Sequence, residues 1–143
     1  MHRWTAHLMV MFVSLHMLRV FLTGAYKPPR ELNWIVGVIL LVLTMLSSFT
    51  GYLLPWDQLA YWGVTIGCSM GENAPLLGAK GPFALLESGK DVNSILVGGA
   101  AVGQPTLLRF YLLHAIALPL GITGLMGFHF WRIRRAGGVS GPL

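Results

Sequence analysis

Charge is scarce in this chain. Of 143 residues, 10 are Lys or Arg and 5 are Asp or Glu, together 10%, while 55% are hydrophobic. Soluble domains carry roughly a quarter charged residues, so a surface that faces water on all sides is excluded. Cysteine is almost absent too. The single Cys68 leaves no Cys-x-x-Cys-His for covalent attachment of a c-type haem.

What is present is long apolar runs. No charge lies between Glu31 and Asp57, or from Phe110 to Trp131. Both runs exceed the roughly 20 residues needed to cross a hydrocarbon core. A shorter run, Trp4 to Leu18, lies between Arg3 and Arg19 and extends to about Thr23 if Arg19 snorkels. Its interior histidines, its far-end arginine and its lack of a small-residue cleavage motif argue against a signal peptide. The reading is all-α: three membrane spans at about 2–23, 33–54 and 106–131, with an outer loop at about 55–105. Within that loop, Asp57 to Gly67 reads as an amphipathic surface helix.

Three spans make the first and third parallel. Lys27, Arg30 and Glu31 lie in the first connection, Arg132, Arg134 and Arg135 follow the third span, and the long connection holds four acids against Lys80 and Lys90. The positive-inside rule places the first connection and the C-terminus on the inner side. The net charge of +5 reflects that bias and not nucleic-acid binding. The same rule makes the three closing arginines topology determinants.

Four histidines carry the chemistry. His2 and His16 stand at i and i+14 in the first span, and His114 and His129 at i and i+15 in the third. On an α-helix these spacings fall about 40° short of four turns and about 60° beyond them, with a rise of about 21 Å. Each pair therefore points to roughly one side at two depths. Because the spans are parallel, the partners are His2 with His114 at the outer level and His16 with His129 at the inner level. His7 lies about 140° from His2 and about 180° from His16, so it reads as a packing or interface residue.

A lone intramembrane histidine is ordinarily one hydrogen-bonded to a neighbouring helix; four with matched spacing ask for more. Zinc wants three or four protein ligands, and no carboxylate or cysteine is near. A haem brings four nitrogens and needs only axial ligands. Two histidines fill both positions, which favours electron transfer over oxygen chemistry. Gly37 and Gly51 in the second span repeat the i, i+14 spacing of the first histidine pair. They serve either close helix packing or the approach of a flat macrocycle edge at each level. Pro55 should end or kink that span.

Several segments resemble cytochrome b. They are His2-Arg3-Trp4, Leu15-His16 with Arg19, Lys27-Pro28-Pro29-Arg30-Glu31-Leu32, and Gly51 through Tyr61-Trp62-Gly63. Val102-Gly103-Gln104, Thr106-Leu107-Leu108-Arg109-Phe110-Tyr111, Leu113-His114 and the ending Gly138 to Leu143 continue the likeness. It is nearest to the short, split b6 form. The resemblance implies a four-helix bundle, A to D, with two bis-histidine b haems between B and D. The whole of 1–143 then reads as a haem-binding membrane domain comprising B, C and D, with helix A missing by truncation, a fragmentary gene or a partial chain. The short form also holds a further covalent haem through an inner cysteine; Cys68 lies in the outer connection, and that haem stays undecided.

By resemblance, the chain is the electron-transfer subunit of a proton-translocating quinol:cytochrome c or plastocyanin oxidoreductase. Electrons would pass from an outer quinol site through two b haems to an inner quinone. The implied partners are a Rieske iron–sulfur protein, a cytochrome c1 or f type subunit and a small subunit carrying Pro-Glu-Trp-Tyr, in a homodimeric complex. That motif is absent here, so the isolated chain is not expected to oxidise quinol. The implied location is a bacterial cytoplasmic or thylakoid membrane. Trp62, Gly63 and Gly103 are the candidates for lining the quinol pocket. Arg19, Arg3 and Arg109 are the candidates for holding haem propionates, which call for cations near the interface. The extra residues around Lys90 to Ala101 read as a partner-facing loop. Two alternatives remain: a di-haem anchor of another respiratory dehydrogenase, or a truncated bundle with no activity alone.

Overall fold

The first helix, α1 (His2–Leu22), is apolar on every face, and none of its residues is buried. Phe12, Leu15 and Leu18 are all more than half exposed. A helix of that kind belongs in a core or a membrane. It ends in a Schellman motif: Gly24 takes φ 67, Gly24 N donates to Phe21 O, and Ala25 N donates to Val20 O. Only glycine enters that left-handed turn without strain.

The computed structural model describes residues 1–73, 92–99 and 101–138. Among them all regular structure is helical: α2 (Glu31–Leu53), α3 (Gln58–Glu72), α4 (Val92–Val97), α5 (Gln104–Leu112), a π-turn (Leu113–Ala117) and α6 (Leu118–Arg135) follow α1. Three continuous helices are long and apolar enough to cross a membrane: His2–Leu22, Glu31–Leu53 and Gln104–Arg135. The fold class read from the sequence is thus observed, with α3 and α4 as the short helices of the long loop. The part of that loop between Asn73 and Val92, including Lys80 and Lys90, lies outside the described residues.

The chain divides into two compact units, Met1–Ser48 with Leu118–Leu143, and Phe49–Ala117. The second has a packed core of Leu53, Ala60, Val64, Cys68, Val97 and Phe110. Its turn is set by Pro55, after which Trp56 adopts φ 55. Asp57 then caps α3, its carboxylate accepting from Ala60 N at 2.8 Å. Gly67 lets Phe49 close in: a Cβ there would lie 2.7 Å from the ring. Burial pushes the Cys68 thiol up from its ordinary pKa, so it acts as a small apolar filler. Thr106 is fully buried and ties α5 to α4 by donating to Val97 O at 2.6 Å.

The π-turn carries His114 and is followed by Pro119. Proline has no N–H and its ring collides with the carbonyl four residues back. A wider turn relieves that collision at the cost of one extra residue. Such turns are rare and recur at functional sites.

The first unit is different. Among its described residues only Val36, Gly37 and Thr44 are buried. Its α6 ends, as α1 does, in a glycine turn, with Gly137 and Gly138 at φ 83 and 84 and Gly138 N bonded to Ile133 O.

Replacing Asp57 removes the side-chain N-cap of α3. Asp57→Ala should destabilise that helix by about 1 kcal/mol and Asp57→Asn by much less. Hydrogen exchange of the α3 amides in detergent checks both.

Candidate functional site

In the first unit, α1, α2, α6 and both glycine turns surround a partly open cavity. His16 and Met17 line it from α1, and Asn33, Trp34 and Gly37 from α2. His129, Arg132 and Ile133 line it from α6, and Arg30, Ala136 and Gly138 close its end. His16 and His129, an inner pair on the sequence reading, thus share one cavity.

The cavity wall is polar where it should not be. Four buried side-chain atoms among the described residues have no hydrogen-bond partner: His129 Nδ1, Arg30 Nε, Asn33 Oδ1 and Arg132 Nε. All four residues line this cavity. Arg30 spends Nη2 on Gly138 O at 2.8 Å, which leaves Nε unused. Leaving such groups unsatisfied costs about 1–3 kcal/mol each. The donor set therefore awaits something that binds both imidazole and guanidinium. Among the described residues, no group of three His, Cys, Asp or Glu side chains could hold a metal ion. A ligand that brings its own equatorial donors and carries acids fits better. Gly37 supplies room: a Cβ there would lie 3.7 Å from His129 Cε1 and 3.6 Å from Met17 Sδ.

In the second unit, His114 lies against Thr50 and Gly51 of α2. Thr50 Oγ1 is 3.3 Å from His114 Nδ1. A Cβ on Gly51 would stand 2.6 Å from His114 Cε1, closer than real contacts allow. Each glycine singled out by its spacing therefore faces a different histidine of the third span: Gly37 faces His129, and Gly51 faces His114.

The other candidates fall as follows. His2, Arg3 and Arg19 are exposed on α1. His7 is exposed and meets Trp4 edge-on at 6.2 Å between ring centroids. Trp62 is 56% exposed, and its indole N–H donates to Gln58 Oε1 at 3.2 Å. Gly63 admits Tyr52, whose ring edge would be 3.0 Å from a Cβ. Gly103 caps α5, its N–H donating to Thr106 Oγ1 at 3.1 Å. Arg109 reaches α4, where its guanidinium donates to Ile95 O and packs over Gly98.

A family model described as cytochrome b (N-terminal)/b6/petB matches residues 7–142. The chain belongs to the cytochrome b family, in its b6-like split form. It is 48% identical to a cytochrome b6 of Gracilaria tenuistipitata var. liui and 49% identical to one of Oltmannsiellopsis viridis. A cytochrome b6 of Acaryochloris marina is 46% identical. Each alignment covers 99% of this chain and 60% of the relative, so the chain spans about 60% of the length of these curated relatives.

Sequence reasoning missed Arg30, Asn33 and Arg132 as cavity residues. Arg132 had a signal: it lies at i+3 from His129, about one helical turn on, and so on the same face. Reading it only by the topology rule hid that. Arg134 and Arg135 are exposed, and Arg135 stacks 5.3 Å over the Trp131 ring.

Arg109 is a clasp on α4. Arg109→Gln should speed hydrogen exchange at Ile95–Val97 roughly tenfold, in line with loss of a charged hydrogen bond, and leave the α1 amides unchanged.

Proposed function

We propose that this chain is the di-haem electron-transfer subunit of a quinol:cytochrome c or plastocyanin oxidoreductase. The observation that carries the reading is the inner cavity, where two histidines face unpaired arginine and imidazole nitrogens within a cytochrome b family chain. When bound, haem b supplies a one-electron iron couple with both axial positions closed.

The residues divide the work by chemistry. His16 and His129 would hold the iron of the inner haem. His2 and His114 serve as the outer pair, on the sequence's topology. Arg30 and Arg132, with Arg19 nearby on α1, hold the acidic edge of the inner group by charge-assisted hydrogen bonds. Gly37 and Gly51 keep the backbone open at the two levels. The helix from His2 to His16 rises about 21 Å, most of a hydrocarbon core of about 30 Å. Trp62, Gly63 and Gly103 would line an outer quinol site, and haems at two depths would supply one-electron stations between it and an inner quinone.

The outer site is completed by a Pro-Glu-Trp-Tyr subunit, and the acceptors are a Rieske protein and a cytochrome c1 or f type subunit. The assembly is a homodimer in a thylakoid or bacterial cytoplasmic membrane, with the Lys27–Glu31 connection and the C-terminus inside. A further covalent haem is not assigned.

A reduced-minus-oxidised spectrum of membranes holding the full protein should show two b-type haems. His16→Ala and His129→Ala should each remove the same one, and absence of any b-type α-band overturns the reading. Arg30→Gln with Arg132→Gln should weaken retention of the inner haem by about tenfold or more, as loss of supporting contacts does. Gly51→Ala should evict the outer haem by displacing His114. Gly37→Ala, whose Cβ meets only ordinary contacts, should cost less.

A further inference from the structure

We propose that Thr50 is a positioning residue for His114 and lowers the reduction potential of the outer haem. This rests on the bis-histidine reading above. Thr50 is buried, 5% exposed, and its Oγ1 lies 3.3 Å from His114 Nδ1. A helical threonine ordinarily sends its hydroxyl proton to the carbonyl one turn back. Thr44 does so to Leu40 O at 2.8 Å and Ser48 to Thr44 O at 3.1 Å in the same helix. Oγ1 of Thr50 is then left to accept, and His114 Nδ1–H donates to it. That selects the tautomer with its lone pair on Nε2, the nitrogen that would bind iron.

The bond also tunes the ligand. An imidazole that donates its second N–H is the more basic donor, and a more basic donor favours ferric over ferrous iron. His129 differs at this atom: its Nδ1 is buried with no hydrogen-bond partner among the described residues. Thr50 therefore biases the two stations in the direction the electron travels, from outer to inner. Gly51, the next residue, packs against the same ring and leaves no room for a Cβ.

The test is a redox titration of the α-bands in membranes carrying the assembled complex, for the unaltered protein, Thr50→Val, Thr50→Ala and Thr50→Ser. The expected result is two haems in each, with the outer midpoint raised in the valine and alanine variants, restored by serine, and the inner midpoint unmoved. A tenfold weakening of the ferric preference reads as about 59 mV. An unchanged outer midpoint in both valine and alanine variants, with haem retained, overturns the inference. So does loss of the outer haem in serine as well, which marks a role in packing alone. If the unaltered protein shows no b-type haem, it is the parent reading that fails.

Discussion

A buried imidazole nitrogen without a partner is the constraint on which this structure turns. In an apolar span no water relieves it, and the backbone of a helix is already committed to itself. His129 Nδ1 stands in that position, and Arg30, Asn33 and Arg132 put three more unpaired atoms around the same space. Among the described residues nothing bonds to those four atoms. The first unit keeps a cavity where a bundle would normally keep its core, and its other apolar side chains point outward.

The second unit solves the same problem by itself. His114 has Thr50 for a partner, and the surrounding α3, α4 and α5 close over a core centred on Phe110 and Val64. Polar ties hold its loop helices without a cofactor: Asp57 on Ala60 N, Thr106 on Val97 O, and Arg109 on Ile95 O. The two levels therefore differ in what they ask of a ligand. His114 is oriented by Thr50, whereas His129 waits for whatever fills the cavity.

Much of this was legible in the sequence because the signals were strong and periodic. Uncharged runs long enough to cross a bilayer marked two of the spans, and Asp57 after Pro55 marked the start of α3. The glycine pair Gly37 and Gly51 stood out by spacing alone. Other features were hidden for physical reasons. The count of about 60° beyond four turns between His114 and His129 assumes a regular α-helix, and the π-turn at Leu113–Ala117 removes that assumption. It takes in one extra residue, so the step from His114 to His129 counts one fewer in α-helical register, the same as His2 to His16. Pro119 was the clue, since its ring must be accommodated four residues back. Arg109 was hidden because its partner is a backbone carbonyl in a distant segment, which no local pattern announces.

The same difference bears on where binding energy goes. A ligand entering a preformed site stabilises the fold by mass action alone, whereas one that completes a core is part of what lets the unit fold. The first unit has three buried residues and four unpaired buried atoms among those described. A macrocycle there would replace empty space by contact and unpaired guanidinium nitrogens by charge-assisted bonds. Its binding and the folding of that unit would then be one process. The second unit has its own core, and its histidine already has Thr50 for a partner.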